Sequence, residues 1–173
     1  MSQPLPPIDA HQPLREAVRD LCQRFDSGSW QQVDEARGYP EAFVDALTNA
    51  GWLAAMIPTE YGGSGLGVTE ASVIMEEINL SGGNAGACHG QMYNMGTLLR
   101  HGSAEQKALY LPKIASGEWR LQSMAVTEPG TGTDTTQLKT TAVRRGDRYV
   151  VNGQKVWISR IQHSDWMVLL ART

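Results

Sequence analysis

The chain has 173 residues, enough for one large domain, and its 41% hydrophobic and 19% charged residues are those of a globular protein. A net charge of −3 with no basic run argues against nucleic acid as a partner, and no apolar run reaches the length of a membrane span. Cys22 and Cys88 stand far apart without CxxC or His spacing, so neither a zinc site nor a disulfide framework is indicated, and a reducing cytoplasmic setting fits best.

Met1 to Pro13 is polar and proline-punctuated, with no apolar segment of the kind that makes a signal peptide. Leu14, Val18, Leu21, Cys22 and Phe25 then fall on one face of an amphipathic helix, which Asp26-Ser27-Gly28-Ser29 is expected to break. A second helix is predicted from Pro40 through Phe43, Leu47 and Ala50 to Gly51. Residues 57–67 are glycine-rich and read as an inter-helix loop. No βαβ unit surrounds them and no Gly-Lys-Ser/Thr follows, so they are neither a Rossmann nor a P-loop site. Thr69 is expected to cap a third helix with Val73, Ile74 and Ile78 inside. Ala85, Cys88, Met92, Met95 and Leu99 mark a fourth, closed by His101-Gly102. Ser103-Ala104-Glu105-Gln106 has the pattern of a reciprocal cap opening a fifth, which Pro112 should kink or shorten.

From Arg120 the period changes. Leu121 to Thr127, Thr140 to Arg144, Arg148 to Asn152, Gln154 to Ser159 and Asp165 to Arg172 read as strands. Arg145-Gly146-Asp147 is a hairpin turn, and Asn152-Gly153 is the strongest short hairpin signal in the chain. The expected fold class is therefore α+β: a helical domain over 1–120, then the start of an antiparallel β-sheet or barrel domain over 121–173. The last strand lacks a neighbour in this reading, so the chain is expected to be a fragment or to need another chain.

The segment Thr127-Glu128-Pro129-Gly130-Thr131-Gly132-Thr133-Asp134 joins the two parts. Its hydroxyls and glycines cannot pack a core, but they can turn tightly and bring donors close to an anion. A bare inter-domain turn is the plainer reading. In a strand, Trp157 and Ser159 would share a face, and a ring beside a hydroxyl could cover a flat heteroaromatic system; a core Trp with an incidental Ser is the alternative.

That segment, together with Asn152-Gly153-Gln154-Lys155-Val156-Trp157-Ile158-Ser159, resembles the acyl-CoA dehydrogenase family. Ile57-Pro58 to Tyr61-Gly62-Gly63, Gly102 to Lys107 and Tyr110-Leu111-Pro112 support the resemblance in the family's order. It implies a helical N-terminal domain and part of the middle β domain, without the C-terminal helical domain. The implied cofactor is FAD, bound by Met124, Val126, Thr127, Gly132, Thr133, Trp157, Ile158 and Ser159. Thr127 would bond the ring edge, Gly132 and Thr133 would lie at the phosphates, Trp157 would flank the ring, and Ser159 would sit near N5. Thr133 would also face the acyl-CoA.

Members of the family often carry an aromatic at the position of Met124, Ser at that of Thr133 and Thr at that of Ser159. Two of these changes keep a hydroxyl, and the thioether of Met124 softens the edge of the site. His89 and Asn94, with Gln91, resemble residues near the floor of the acyl pocket; a solvated helix face or a satisfied core histidine is the plainer reading. If they face the pocket, the acyl group is short or polar.

The implied reaction is α,β-dehydrogenation of an acyl-CoA thioester with hydride transfer to flavin. Its electrons pass to an electron-transfer flavoprotein, and the complete enzyme is a homo-oligomer, tetramer or dimer. The family's catalytic Glu lies in the C-terminal domain, so no catalytic residue is assigned here and no metal is expected. A non-catalytic half-subunit or binding module needing a partner chain, and a flavin oxidase or monooxygenase on the same scaffold, stay open.

Overall fold

The structure, a computed structural model, describes residues 10–173. The leaderless reading of the first nine residues lies outside them. Six α-helices come first: α1 (Gln12–Cys22), α2 (Ser27–Glu35), α3 (Glu41–Asn49), α4 (Val68–Leu80), α5 (Gly86–His101) and α6 (Ala104–Ala115). Four short strands follow: β1 (Ser123–Ala125), β2 (Thr141–Arg145), β3 (Arg148–Asn152) and β4 (Met167–Leu169).

The helices form where apolar spacing gives them a face to bury. Val18, Leu21 and Cys22 of α1, Phe43, Val44 and Leu47 of α3, Ile74 and Ile78 of α4, and Cys88 and Met92 of α5 make one core. Met95 of α5 and Leu111 and Ile114 of α6 make a second core with Ile57 and Leu121, and Val168 of β4 packs against it. The glycine-rich loop folds back on the helices, with Gly65 N donating to Ile57 O at 2.8 Å and Leu66 N to Ala55 O at 2.8 Å.

Several expectations change. Asp26-Ser27-Gly28-Ser29 does not only end α1; it starts α2, because the Asp26 carboxylate accepts from the Ser29 amide at 2.8 Å. No residue of α2 is fully buried, so no apolar period announced it. The third predicted helix, α4, is capped at Gly67 rather than Thr69, with the Glu70 carboxylate accepting from Gly67 N at 2.9 Å. The Ser103 cap is as expected, but α6 continues through Pro112, held by the burial of Leu111 and Ile114 on either side.

The α+β class holds, yet the strands do not form one antiparallel sheet. β2 and β3 are an antiparallel hairpin turning at Gly146 (φ 65°), whereas β1 and β4 pair in parallel with Met124 opposite Val168. The last strand thus finds its neighbour within the chain, and Arg172 bridges to Thr141 beyond it. The strand expected over 121–127 shrinks to β1, and the strand expected over 165–172 shrinks to β4.

Residues 154–159 form no strand. Nor is Asn152-Gly153 a two-residue hairpin turn, because neither residue has positive φ. Gly153 is there for close approach: a Cβ on it would lie 2.2 Å from Thr140 Oγ1. No helix of the described residues is long and apolar enough to cross a membrane.

Candidate flavin-facing site

The junction loop begins where β1 ends. Glu128 N donates to Thr131 O at 2.9 Å and Thr131 N to Glu128 O at 3.0 Å, closing a tight turn on Pro129 and Gly130. Thr131 Oγ1 then bonds Gln137 O at 3.2 Å, and the Asp134 carboxylate accepts from Thr136 N at 3.1 Å. The loop is ordered by its own polar groups, as its composition requires.

Its anchor is Glu128. The carboxylate is buried and accepts from Lys139 N at 2.7 Å, Thr140 N at 2.8 Å and Lys155 Nζ at 3.0 Å. The Thr140 side chain, then the Lys139 and Thr140 amides and the Lys155 ammonium, hold its carboxyl down at about 2 against the desolvation that opposes them. Lys155 Nζ also donates to Val126 O at 2.8 Å, and Val156 N donates to Thr127 O at 3.0 Å. Two segments distant in sequence are thereby clamped together: 126–134 and 155–159. Lys155 has no role that the sequence alone assigns. A lone lysine in a motif carries no sign that its ammonium will be buried against a carboxylate.

Met124, on β1, is half-buried, as are Val126 and Thr127 beyond it. Gly132 and Thr133 are exposed at the loop's outer edge. Trp157 is 89% exposed and has left-handed backbone geometry at φ 61°, a conformation costly for a bulky side chain. Trp157 and Ser159 are therefore not alternate residues on one strand face, contrary to the expectation from strand alternation. They are carried by an irregular segment in which Ile158 is half-buried, Ser159 is exposed and Ser159 O accepts from Ser123 Oγ at 2.8 Å.

The three polar residues of α5 separate. His89 is exposed, stacked edge-on to Tyr93 (4.8 Å between ring centroids, 63°), and lines a cavity of about 540 Å³ with Met56, Met75, Met92 and Arg100. Gln91 and Asn94 are buried: Gln91 Nε2 reaches Leu53 O and Asn94 Nδ2 reaches Leu121 O, both at 3.3 Å. A solvated face thus describes His89 and not the other two. None of residues 124–134 or 157–159 lines the His89 cavity.

What remains accessible beside the clamp is a flat indole, three hydroxyls (Thr127, Thr133, Ser159) and a glycine loop in which a Cβ on Gly130 or Gly132 would meet nothing within 4 Å. That donor set, with unobstructed backbone, fits a flavin and its phosphates. Among the described residues no three His, Cys, Asp or Glu side chains gather as metal ligands.

Residues 8–118 match the family described as Acyl-CoA dehydrogenase, N-terminal domain, and residues 123–173 match Acyl-CoA dehydrogenase, middle domain. Mitochondrial isovaleryl-CoA dehydrogenase of Bos taurus is 36% identical over 164 residues, which cover 92% of this chain and 38% of that protein. Cyclohex-1-ene-1-carbonyl-CoA dehydrogenase of Syntrophus aciditrophicus is 34% identical over 161 residues, covering 92% of this chain and 39% of that protein. The crystal structure of acyl-CoA dehydrogenase from Geobacillus kaustophilus superposes with a TM-score of 0.84 at 29% identity, covering all of this chain and 45% of that one. The chain thus spans under half the length of these relatives. On the two family matches and the shared fold, it belongs to the acyl-CoA dehydrogenase family.

Proposed function

We propose that this chain supplies the flavin-facing wall of an FAD-dependent acyl-CoA dehydrogenase. The observation that carries the reading is the Glu128–Lys155 clamp, which holds the hydroxyl- and glycine-rich loop beside the segment bearing Trp157. In this reading Thr127 and Ser159 bond the ring edge, Gly132 and Thr133 receive the phosphates, and Met124, Val126, Trp157 and Ile158 bound the ring. FAD, when bound, supplies the acceptor for the β-hydrogen of an acyl-CoA thioester. Thr133 also faces the acyl-CoA. His89 addresses the acyl group from the α4–α5 cavity, and Asn94 acts as a positioning residue through Leu121.

Glu128 is not the base that takes the α-proton. A carboxylate saturated by two amides and an ammonium, with its carboxyl at about 2, is a poor proton acceptor at neutral pH. Another segment of polypeptide supplies that base, so no catalytic residue is assigned among these residues. The complete enzyme is a homo-oligomer that passes electrons to an electron-transfer flavoprotein. It works in the reducing cytoplasm, where the buried Cys22 and Cys88 stay as thiols.

Flavin titration tests the reading. The 173-residue protein alone should bind FAD weakly and reduce no dye with any acyl-CoA. When complemented by a segment carrying the base, it should bind FAD stoichiometrically, and Trp157→Ala should alter the flavin spectrum. An unchanged spectrum and affinity in Trp157→Ala and Thr127→Ala would refute the site, and dye reduction by the chain alone would refute the absence of the base.

A further inference from the structure

Arg160 is the residue that the flavin-facing reading leaves unused. Its backbone is left-handed at φ 59°, and its half-buried side chain runs back over α5. The recess it occupies is cut by two glycines one turn apart. A Cβ on Gly86 would lie 3.2 Å from Arg160 Nη1, and one on Gly90 would lie 2.7 Å from Nη2. Its Nε donates to Gln122 O at 3.2 Å. Among the described residues its two Nη atoms make no hydrogen bond and no carboxylate pairs with it. A half-buried guanidinium with so few partners, placed over the first turn of a helix where the dipole is also positive, is electrostatically unfavourable by itself.

A second unmet donor lies beside it. Gln122 is fully buried; its Oε1 accepts from the Tyr39 hydroxyl, but its Nε2 has no hydrogen-bond partner among the described residues. Arg160 also lines a cavity of about 400 Å³ with Arg37, Tyr39, Gln162 and His163, and no acidic residue lines it. Arg37, left-handed too at φ 49°, has no ion-pair partner among the described residues. The His163 imidazole stacks on Tyr39 (4.2 Å, 15°) and lies 3.9 Å from Glu41, on the side where it borders a second cavity shared with Glu41, Glu118 and Asp165. Arg160 and Arg37 thus meet at one cavity, and among its lining residues there is no anionic acceptor.

We propose that this cavity is a carboxylate-binding site. Arg160 is its two-pronged donor, Arg37 adds positive charge, and Gln122, bonded to Arg160 through its carbonyl and to Tyr39 through its side chain, is a positioning residue. The planar guanidinium suits a carboxylate, which can accept two parallel bonds from it. The carboxylate belongs either to the far end of an acyl group or to a side chain of another polypeptide segment. The acyl-group source rests on the flavin-site reading; carboxylate binding itself does not.

Two measurements decide it. In the full 173-residue chain, adipate should shift the Arg160 Nε–Hε resonance saturably, while neutral adipamide should not. Arg160→Gln should weaken adipate by roughly tenfold or more, the size of one lost charge-assisted bond, with Arg160→Lys in between. Arg37→Gln should weaken it by roughly two- to fivefold. Because Arg37 is exposed, that variant keeps the test alive if Arg160→Gln fails to fold. Equal responses to adipate and adipamide, unchanged adipate affinity in both glutamine variants, or phosphate binding as tightly as adipate would overturn the proposal.

In the FAD-loaded enzyme, Arg160→Gln should lower kcat/KM for adipyl-CoA by roughly 10- to 100-fold and leave hexanoyl-CoA nearly unchanged if the acyl group brings the carboxylate. Equal losses on both substrates would assign it to a polypeptide side chain. No loss on either would overturn the site.

Discussion

The helical part and the β part of this molecule are held together by different forces. In the first, Val18, Val44, Leu47, Ile57, Ile74, Ile78 and Cys88 are sealed from solvent, and every helix but α2 contributes through the face its apolar spacing made. In the second, β3 is exposed along its whole length, and Leu121, Ala125 and Leu138 are the buried apolar residues among those described from 121 onward. Polar bonds do the ordering there: Glu128 on two amides and Lys155, Ser123 on Ser159 O, and Arg172 on Leu138 O at 2.5 Å. Burial is non-directional and tolerates drift, whereas hydrogen bonds fix position. The loop that we propose faces the flavin would need the second kind of order, and the helices supply the stability beneath it.

The sharpest way to break this contrast is Phe43→Ala. Phe43 is buried, with Phe25 edge-on at 5.1 Å and Trp30 at 4.8 Å. The substitution should cost about 3–5 kcal/mol in denaturant unfolding and lower the midpoint of the whole chain. Gly153→Ala should cost less, about 1–3 kcal/mol, because its Cβ runs into Thr140 rather than leaving a hole. Its amide-exchange losses should be confined to residues near 140 and 153. A global loss as large as that of Phe43→Ala would dissolve the distinction between the two regions.

The smallest global effect and the most local one comes from pH. Glu128 has a folded carboxyl pKa of about 2 against an ordinary 4.5, so it is the charged form that the fold favours. Its contribution is complete above pH 4.5 and is lost as pH falls toward 2. Amide exchange at Lys139 and Thr140 should therefore accelerate across that window before the helical core opens. Simultaneous opening of both regions would count against a separately ordered loop.

Helix faces were legible because a 3.6-residue period survives in any context that buries one side; α1, α3, α4, α5 and α6 follow it. α2 was hidden, since a helix of nine residues with no fully buried residue leaves no period to read. Glu77 was hidden for another reason. It looks like a surface residue of α4, but it is buried under Arg15 and Arg19 of α1, each 2.9 Å from a carboxylate oxygen. Only the packing of α1 on α4 makes that triad, in which the two arginines lower the pKa of the carboxyl against its desolvation. At the site, the residue types of the loop left a bare turn and an anion site both open, the flavin came from the family resemblance, and the assumption of a regular strand misplaced Trp157 relative to Ser159.

The sequence by itself determined the α+β class, most helix positions, the hairpin at Gly146 and the family, because these rest on local periods, turn residues and contiguous motifs. Tertiary structure decided the parallel pairing of β1 with β4, the Glu128–Lys155 clamp, the left-handed exposure of Trp157 and the meeting of Arg160 with Gly86, Gly90 and Gln122. Each of these joins residues far apart in the chain. Their geometry is set by which surfaces pack and which donors find acceptors, and no local period in the sequence records that.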